Sequence, residues 1–386
     1  MKDTYNDIYK AFQKCDEKWI QRKRKINTAS LFNTLVNCCT QGRGVNHILR
    51  MDNENFSSQA IHSARKKLPK GSFKEVNNIL QKGQRGPRVF AIDGSKVHVH
   101  PSFLESGYKT RTNDKPVSRP AKRPLIMLSS MVDVKSNECV DFEITKHFNE
   151  RTSAKDMLRS VKKKDTLVFD RGYYSSDLMR SVHETGGYGV FRLKINAFKG
   201  VRSFFNSPNM ESKCFVSGIK CKVVKYFIEG KRYVCLTNKL ETTRREIKKI
   251  YASRWRVEES FKRLKSNLRL EKSHARTPDL YIQEIEARIL LDTLTLRTKL
   301  TIKEPSYLYT LDTTVRGSVK RVRILSDFKG YIVNSRTIKE TGKEPPRFEP
   351  GSYYIEPFER TKRTKISDNF YMMQAPTSLT IKKRST

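Results

Sequence analysis

The chain has 386 residues, with 78 Lys and Arg against 40 Asp and Glu, a net charge of +38. Its length and 37% hydrophobic content suffice for a buried core in two or more domains, which excludes wholesale disorder. The positive charge is spread along the whole chain and calls for a polyanionic partner, nucleic acid first, because no long apolar run or strongly amphipathic basic helix speaks for a membrane.

The first residues, MKDTYNDIYKAFQKCDEKW, carry no apolar stretch of the kind a signal peptide needs. Seven cysteines without a C-x-x-C pair point to a reducing, intracellular compartment (cytoplasmic or nucleoid-associated) and away from structural zinc. Cys38 and Cys39 lie in an apolar helical pattern and read as small buried hydrophobes.

Residues 1–85 read as a helical N-terminal region, with helices over 5–19, 29–39, 45–49 and 57–68. The last, SSQAIHSARKKLP, opens on a capping Ser, turns Ala60, Ile61 and Ala64 inward, and ends in Arg65, Lys66 and Lys67. A basic helix among small helices suits DNA binding in a groove, the alternative being a solvated helical extension. The segment GQRGPR at 83–88 marks a boundary.

Beyond it, 89–93 is a short apolar run closed by Asp93. Residues 106–123 read as a long basic loop, followed by strands over 125–134 and 139–144 and a helix over 153–161. A second short apolar run, DTLVFD, closes on Asp170, and Ser175 or Ser176 caps a helix stopped at Gly186-Gly187. Three strands, a helix, a strand and a helix, in that order, give the expected fold class: an α/β, ribonuclease H-like core. In that fold the first and fourth strands are adjacent, so Asp93 and Asp170 are expected to meet. Strand patterns over 188–194, 214–227 and 231–237 make 195–240 a β-rich insertion.

The stretch YASRWRVEESFKRLK, 251–265, carries the densest chemistry. On a helix advancing ~100° per residue, Tyr251, Arg254, Glu258 and Lys265 fall within about 60° of one another. Val257, Phe261, Leu264 and Leu268 form the apolar stripe beside them, and Thr243 with Glu246 has capping-box spacing upstream. A carboxylate between fixed cations suits metal-assisted chemistry on phosphate, whereas the bland reading is a surface helix with i,i+4 ion pairs. A further amphipathic helix covers 281–300, and 301–386 is a basic C-terminal region of mixed pattern.

Three acids, Asp93, Asp170 and Glu258, thus stand at two strand ends and on a helix. Three carboxylates can hold two Mg²⁺ ions, with Mn²⁺ as a substitute, and need no His or Cys. His98 and His100 alternate like a ligand pair but lack a third soft ligand.

With its acids in AIDGS and DRGYYS, and with Tyr, two residues, Arg, three, Glu, six, Lys at 251, 254, 258 and 265, the sequence resembles a DDE transposase of the insertion sequence 4 family. The resemblance covers about 89–300, with a looser likeness in SSQAIHSARKKLP. It implies a catalytic core over 86–300 that uses two Mg²⁺ held by Asp93, Asp170 and Glu258. It implies an enzyme that binds terminal inverted repeats in double-stranded DNA, cuts the element out and joins it to target DNA by transesterification, as a homodimer in a synaptic complex. Arg254 and Lys265 would grip phosphates beside the scissile bond, Tyr251 would contact a phosphate, and Trp255 would stack on a base or else anchor a core. The alternatives are a ribonuclease H-like nuclease or domesticated transposase without strand transfer, and a non-catalytic basic DNA-binding regulator.

Overall fold

The computed structural model describes residues 10–20, 26–41, 44–51, 56–81, 86–110, 123–273 and 275–301. Half of the boundary at 83–88, most of the basic loop at 106–123, and 302–386 of the C-terminal region lie outside those residues.

The architecture is mixed α/β around one eight-stranded sheet. Strands β1 (Val89–His98), β2 (Leu125–Asp133) and β3 (Cys139–Thr145) form an antiparallel meander. Every residue of β2, LIMLSSMVD, is buried, because helices cover this part of the sheet on both faces. Strand β4 (Thr166–Phe169) pairs parallel with β1, and β5 (Tyr188–Arg192) parallel with β4. The first and fourth strands are therefore neighbours.

The segment expected to be β-rich opens with a short helix, α8 (Val201–Asn206), and continues as β6 (Glu211–Val216), β7 (Ile219–Ile228) and β8 (Lys231–Thr237). Its strands do not form a layer of their own. Strand β8 pairs antiparallel with β5, and the sheet order is β3-β2-β1-β4-β5-β8-β7-β6. Two-residue turns at Ser217-Gly218 and Glu229-Gly230, all four residues at positive φ, fit the right-handed twist of the hairpins they close.

Alternation along β1 splits the core by sheet face. Phe90 and Ile92 join a cluster with α6 (Glu150–Met157), α7 (Ser176–Glu184) and α8. Ala91 and Val97 join a second cluster, with α10 (Trp255–Lys262) and α11 (Pro278–Thr301). Helix α9 (Arg244–Ala252) covers β4, β5, β7 and β8 through a third, small cluster holding Ile247 and Tyr251.

The described N-terminal residues form α1 (10–16 within the described part), α2 (Thr28–Gln41), α3 (Val45–Met51), α4 (Ser58–Lys67) and α5 (Ser72–Gln81). Helix α5, which the sequence reading did not mark, buries Phe73, Val76 and Leu80. These helices share the core of β1–β3 and α11. Asn77 donates to the Cys139 carbonyl and accepts from Thr293, tying α5 to the sheet and to α11 at once. At the basic end of α4, Arg65 is buried and pairs with Glu284 at 3.3 Å, while Lys66 and Lys67 stay exposed.

The stretch 251–265 is not one helix. The capping box of Thr243 and Glu246 starts α9, but α9 ends at Ala252 and α10 begins at Trp255. Between them Arg254 N–H bonds the carbonyl three residues back, at Tyr251, tightening the turn. A π-helical turn over Arg263–Asn267 then carries Lys265. All seven cysteines are free, and among the described residues no helix is long and apolar enough to cross a membrane.

Candidate active site

Parallel pairing of β1 with β4 ends at Ile92 opposite Phe169, so the next residue of each chain segment, Asp93 and Asp170, leaves the pair side by side. Asp93 is not at a strand end, because β1 runs on against β2 as far as His98. Only its β4 neighbour stops, and that opens one edge of the strand to the site.

Arg254 closes the site from the helical side. Its Nη1 lies 3.2 Å from Asp93 Oδ2, 161 residues away in sequence, and its Nη2 donates to Glu258 Oε1, so one guanidinium joins acids from β1 and α10. The Tyr251 hydroxyl donates to Asp170 Oδ1 at 2.9 Å, and Arg192 Nη1 at the end of β5 lies 3.6 Å from the same oxygen. Tyr251, expected on a phosphate, is thus engaged with an acid of the site.

Each carboxyl has its own electrostatics. Burial pushes Asp93 up, against the pull of the Gly94 N–H and Arg254. Burial pushes Asp170 up as well, but the Arg171 N–H, the Tyr251 hydroxyl, Arg254 and Arg192 outweigh it and hold the carboxyl low. The Tyr251 phenol, raised by burial and by Asp170 to about 12, stays protonated and so remains a donor at neutral pH.

Lys265 Nζ donates to the Lys96 carbonyl on β1, 2.7 Å away, so its ammonium stands at the rim. Trp255 is 61% exposed, and the core-anchor reading does not fit it. His98 ends β1, whereas His100 caps the short helical turn after it and bonds Ser102; the two do not share a strand face.

The sequence reading missed Arg192 and Glu150. Helix α6 begins at Glu150 under an Asn149 cap, three residues before the expected start at 153, and that brings Glu150 to Gly94. Nothing in the local pattern sets either residue apart, since an acid in a first helical turn is ordinary.

Hard carboxylate oxygens from Asp93, Asp170 and Glu258 fit Mg²⁺ in chemical character. In spacing, the arginine bridge holds them apart: among the described residues no three acid, His or Cys side chains stand within joint reach of one ion. Arg254 occupies the ground between Asp93 and Glu258 that a cation would take.

The family model described as transposase DDE domain matches residues 84–291. Among solved structures, the chain is similar to one in the cryo-EM structure of a piggyBac transposase synaptic complex with hairpin DNA. That likeness has a TM-score of 0.46 and 11% identity, over 91% of this chain and 84% of that one. No curated protein matches the chain.

Proposed function

The chain belongs to the transposase DDE domain family, enzymes of DNA strand cleavage and transfer, and from that premise we propose that it mobilises an element of the insertion sequence 4 type by acting on its terminal inverted repeats. The spacing of Tyr251, Arg254, Glu258 and Lys265 supports that narrower membership. The observation that supports the site assignment is the joining of Asp93 and Glu258 by the Arg254 guanidinium, with Asp170 bonded by Tyr251 of the same signature at the edge where β4 ends.

In this reading Asp93, Asp170 and Glu258 hold two Mg²⁺. The ions, when bound, supply charge stabilisation at the attacking and leaving oxygens of an in-line displacement. Tyr251 keeps Asp170 oriented and ionised. Arg254, freed from the carboxylates, and Lys265, freed from the Lys96 carbonyl, hold phosphate oxygens beside the scissile bond. Trp255 stacks on a base at the cut end.

Phosphate contacts position DNA but carry no sequence information directly. Base reading is therefore assigned to residues 1–85, with the exposed Lys66 and Lys67 of α4 on the DNA side. The catalytic core over 86–300 includes the β-rich insertion, and two copies pair the element ends in a synaptic homodimer.

The test is cleavage and joining of a duplex carrying the inverted repeats that flank the coding region, in Mg²⁺. The intact protein is expected to cut and join the ends, while Asp93→Asn, Asp170→Asn and Glu258→Gln bind the duplex without cutting it. Cutting by Glu258→Gln at the wild-type rate overturns the assignment.

A further inference from the structure

Glu150 opens α6 on the sheet face opposite the cluster that holds α10, and its carboxylate reaches back to β1 between two glycines. A Cβ on Gly94 would stand 3.0 Å from Glu150 Oε1, and one on Gly172 would stand 3.9 Å from Oε2. These glycines follow Asp93 by one residue and Asp170 by two, so the carboxylate sits against the backbone beside both acids. The seat is anchored: Ser153, Ala154 and Met157 bury the other face of α6, and Arg151 Nε donates to the Gly172 carbonyl at 3.1 Å. Glu150 itself is half-buried. Burial, with Asp93 and Asp170 nearby, pushes its carboxyl up, against the pull of Lys96.

Acids gathered at one point do not make a site, but an independent feature points at the same place. Tyr173 is 1% exposed, and its hydroxyl has no hydrogen-bond partner among the described residues. The acids whose fields reach that phenol are Glu150, then Asp93 and Asp170. A buried hydroxyl without a partner is destabilising, and such groups are rare enough to call for a partner such as a bound water or ion.

We propose that Glu150 is a fourth carboxylate of the catalytic centre, holding a divalent cation together with Asp93, with the Tyr173 hydroxyl bonded to the water that such an ion keeps. Mg²⁺ and Mn²⁺ take carboxylate oxygens and retain several waters, which supplies the partner the phenol lacks. A side chain at Gly94 would press on the Glu150 carboxylate and the Met127 sulfur, both 3.0 Å from its Cβ, so one of them would have to give by a few tenths of an ångström. This inference rests on the assignment of Asp93 to the centre.

The test is Mn²⁺ binding to the intact, metal-free protein without DNA, followed by electron paramagnetic resonance and by thermal unfolding. Glu150→Gln should weaken Mn²⁺ binding by about tenfold or more, with Glu150→Asp between it and wild type. Tyr173→Phe should weaken it by a smaller factor. Asp156→Asn, an exposed acid on the same helix, should bind as wild type. Unfolding midpoints without metal report whether each variant is folded, and Glu150→Asp carries the comparison if Glu150→Gln is not. Unchanged Mn²⁺ affinity in Glu150→Gln, while Asp93→Asn has lost it, overturns this proposal alone. Unchanged affinity in Asp93→Asn overturns the reading of the centre itself.

Discussion

The Tyr251 hydroxyl donates to Asp170 Oδ1 at 2.9 Å, so the first residue of the 251–265 signature is engaged with the second acid of the site. A hydrogen bond to a charged group contributes about 1.5–3 kcal/mol. Tyr251→Phe removes it and is expected to lower the cleavage rate by about tenfold or more, with DNA affinity unchanged. If Tyr251 instead serves a phosphate directly, the loss appears in DNA affinity. Single-turnover cleavage and equilibrium binding on the same duplex separate the two.

Arg254 bridges Asp93 and Glu258, two of the acids proposed to hold a cation. Without metal, Arg254→Ala leaves the two carboxylates facing each other and should cost about 1–3 kcal/mol, less than a fully buried pair because Glu258 is about one-third exposed. Mg²⁺ should then raise the unfolding midpoint more in the variant than in wild type, since no guanidinium competes with it. Equal Mg²⁺ shifts in the two proteins would show that arginine and cation do not share the place.

Trp255 and Lys265 stand at the rim and touch little of the core. Trp255→Ala should change stability by no more than about 0.5 kcal/mol while weakening cut-end binding by about 1–3 kcal/mol through lost stacking. Lys265→Ala should lower strand transfer and leave the metal requirement intact. Lys262→Ala, an exposed lysine on the last turn of α10, is the comparison. An effect of Lys262→Ala as large as that of Lys265→Ala argues for general charge and against a placed contact.

The three cations that end α4 divide by burial. Arg65→Ala takes one partner from the buried Glu284, which keeps Ser273 and Arg288, and is expected to cost about 1.5–3 kcal/mol of stability. The pair Lys66→Ala and Lys67→Ala should leave unfolding unchanged and reduce the salt dependence of DNA binding by about two counterions. Binding isotherms between low and moderate salt, beside thermal unfolding, check both.

Glu286 of α11 gives the fold a pH dependence. Burial pushes its carboxyl from the ordinary 4.5 to about 7, while Lys74 and the N–H groups of Lys74 and Phe73 pull it down. Because the folded pKa lies above the unfolded one, this contribution to stability is full below about 4.5 and is lost as pH rises through about 7. A shift of that size is worth about 3 kcal/mol. Wild-type stability should therefore decline between pH 5 and 8, and Glu286→Gln should flatten the decline. Parallel curves for the two proteins across that range would exclude Glu286 as the source.

Much of the layout was legible because local rules agreed with tertiary structure. The apolar runs closed by Asp93 and Asp170 became β1 and β4, and Val257, Phe261, Leu264 and Leu268 all went into the core. Where the sequence reading failed, packing overrode a local pattern. It took 100° per residue to hold from Tyr251 to Lys265, but α9 seats on one cluster and α10 on another, and the chain breaks between them. A helix expected from 153 leaves Glu150 outside it, because an Asn149 cap is a weak signal beside the apolar positions that follow it. Arg65 looked like its lysine neighbours because its partner, Glu284, lies 219 residues away.

That distance also sets an order in time. During synthesis α2 to α5 emerge long before α11, the helix that Arg65 and Asn77 need for completion. At about 5–20 residues per second the ribosome takes roughly 10–40 s to bridge the gap. Throughout that interval Phe73, Val76 and Leu80 have no α11 to cover them, and Arg65 has no counter-charge. Helices made long before α11 are thus finished only when it arrives, so a nascent chain halted before 278 presents an open apolar surface that must be shielded until translation resumes.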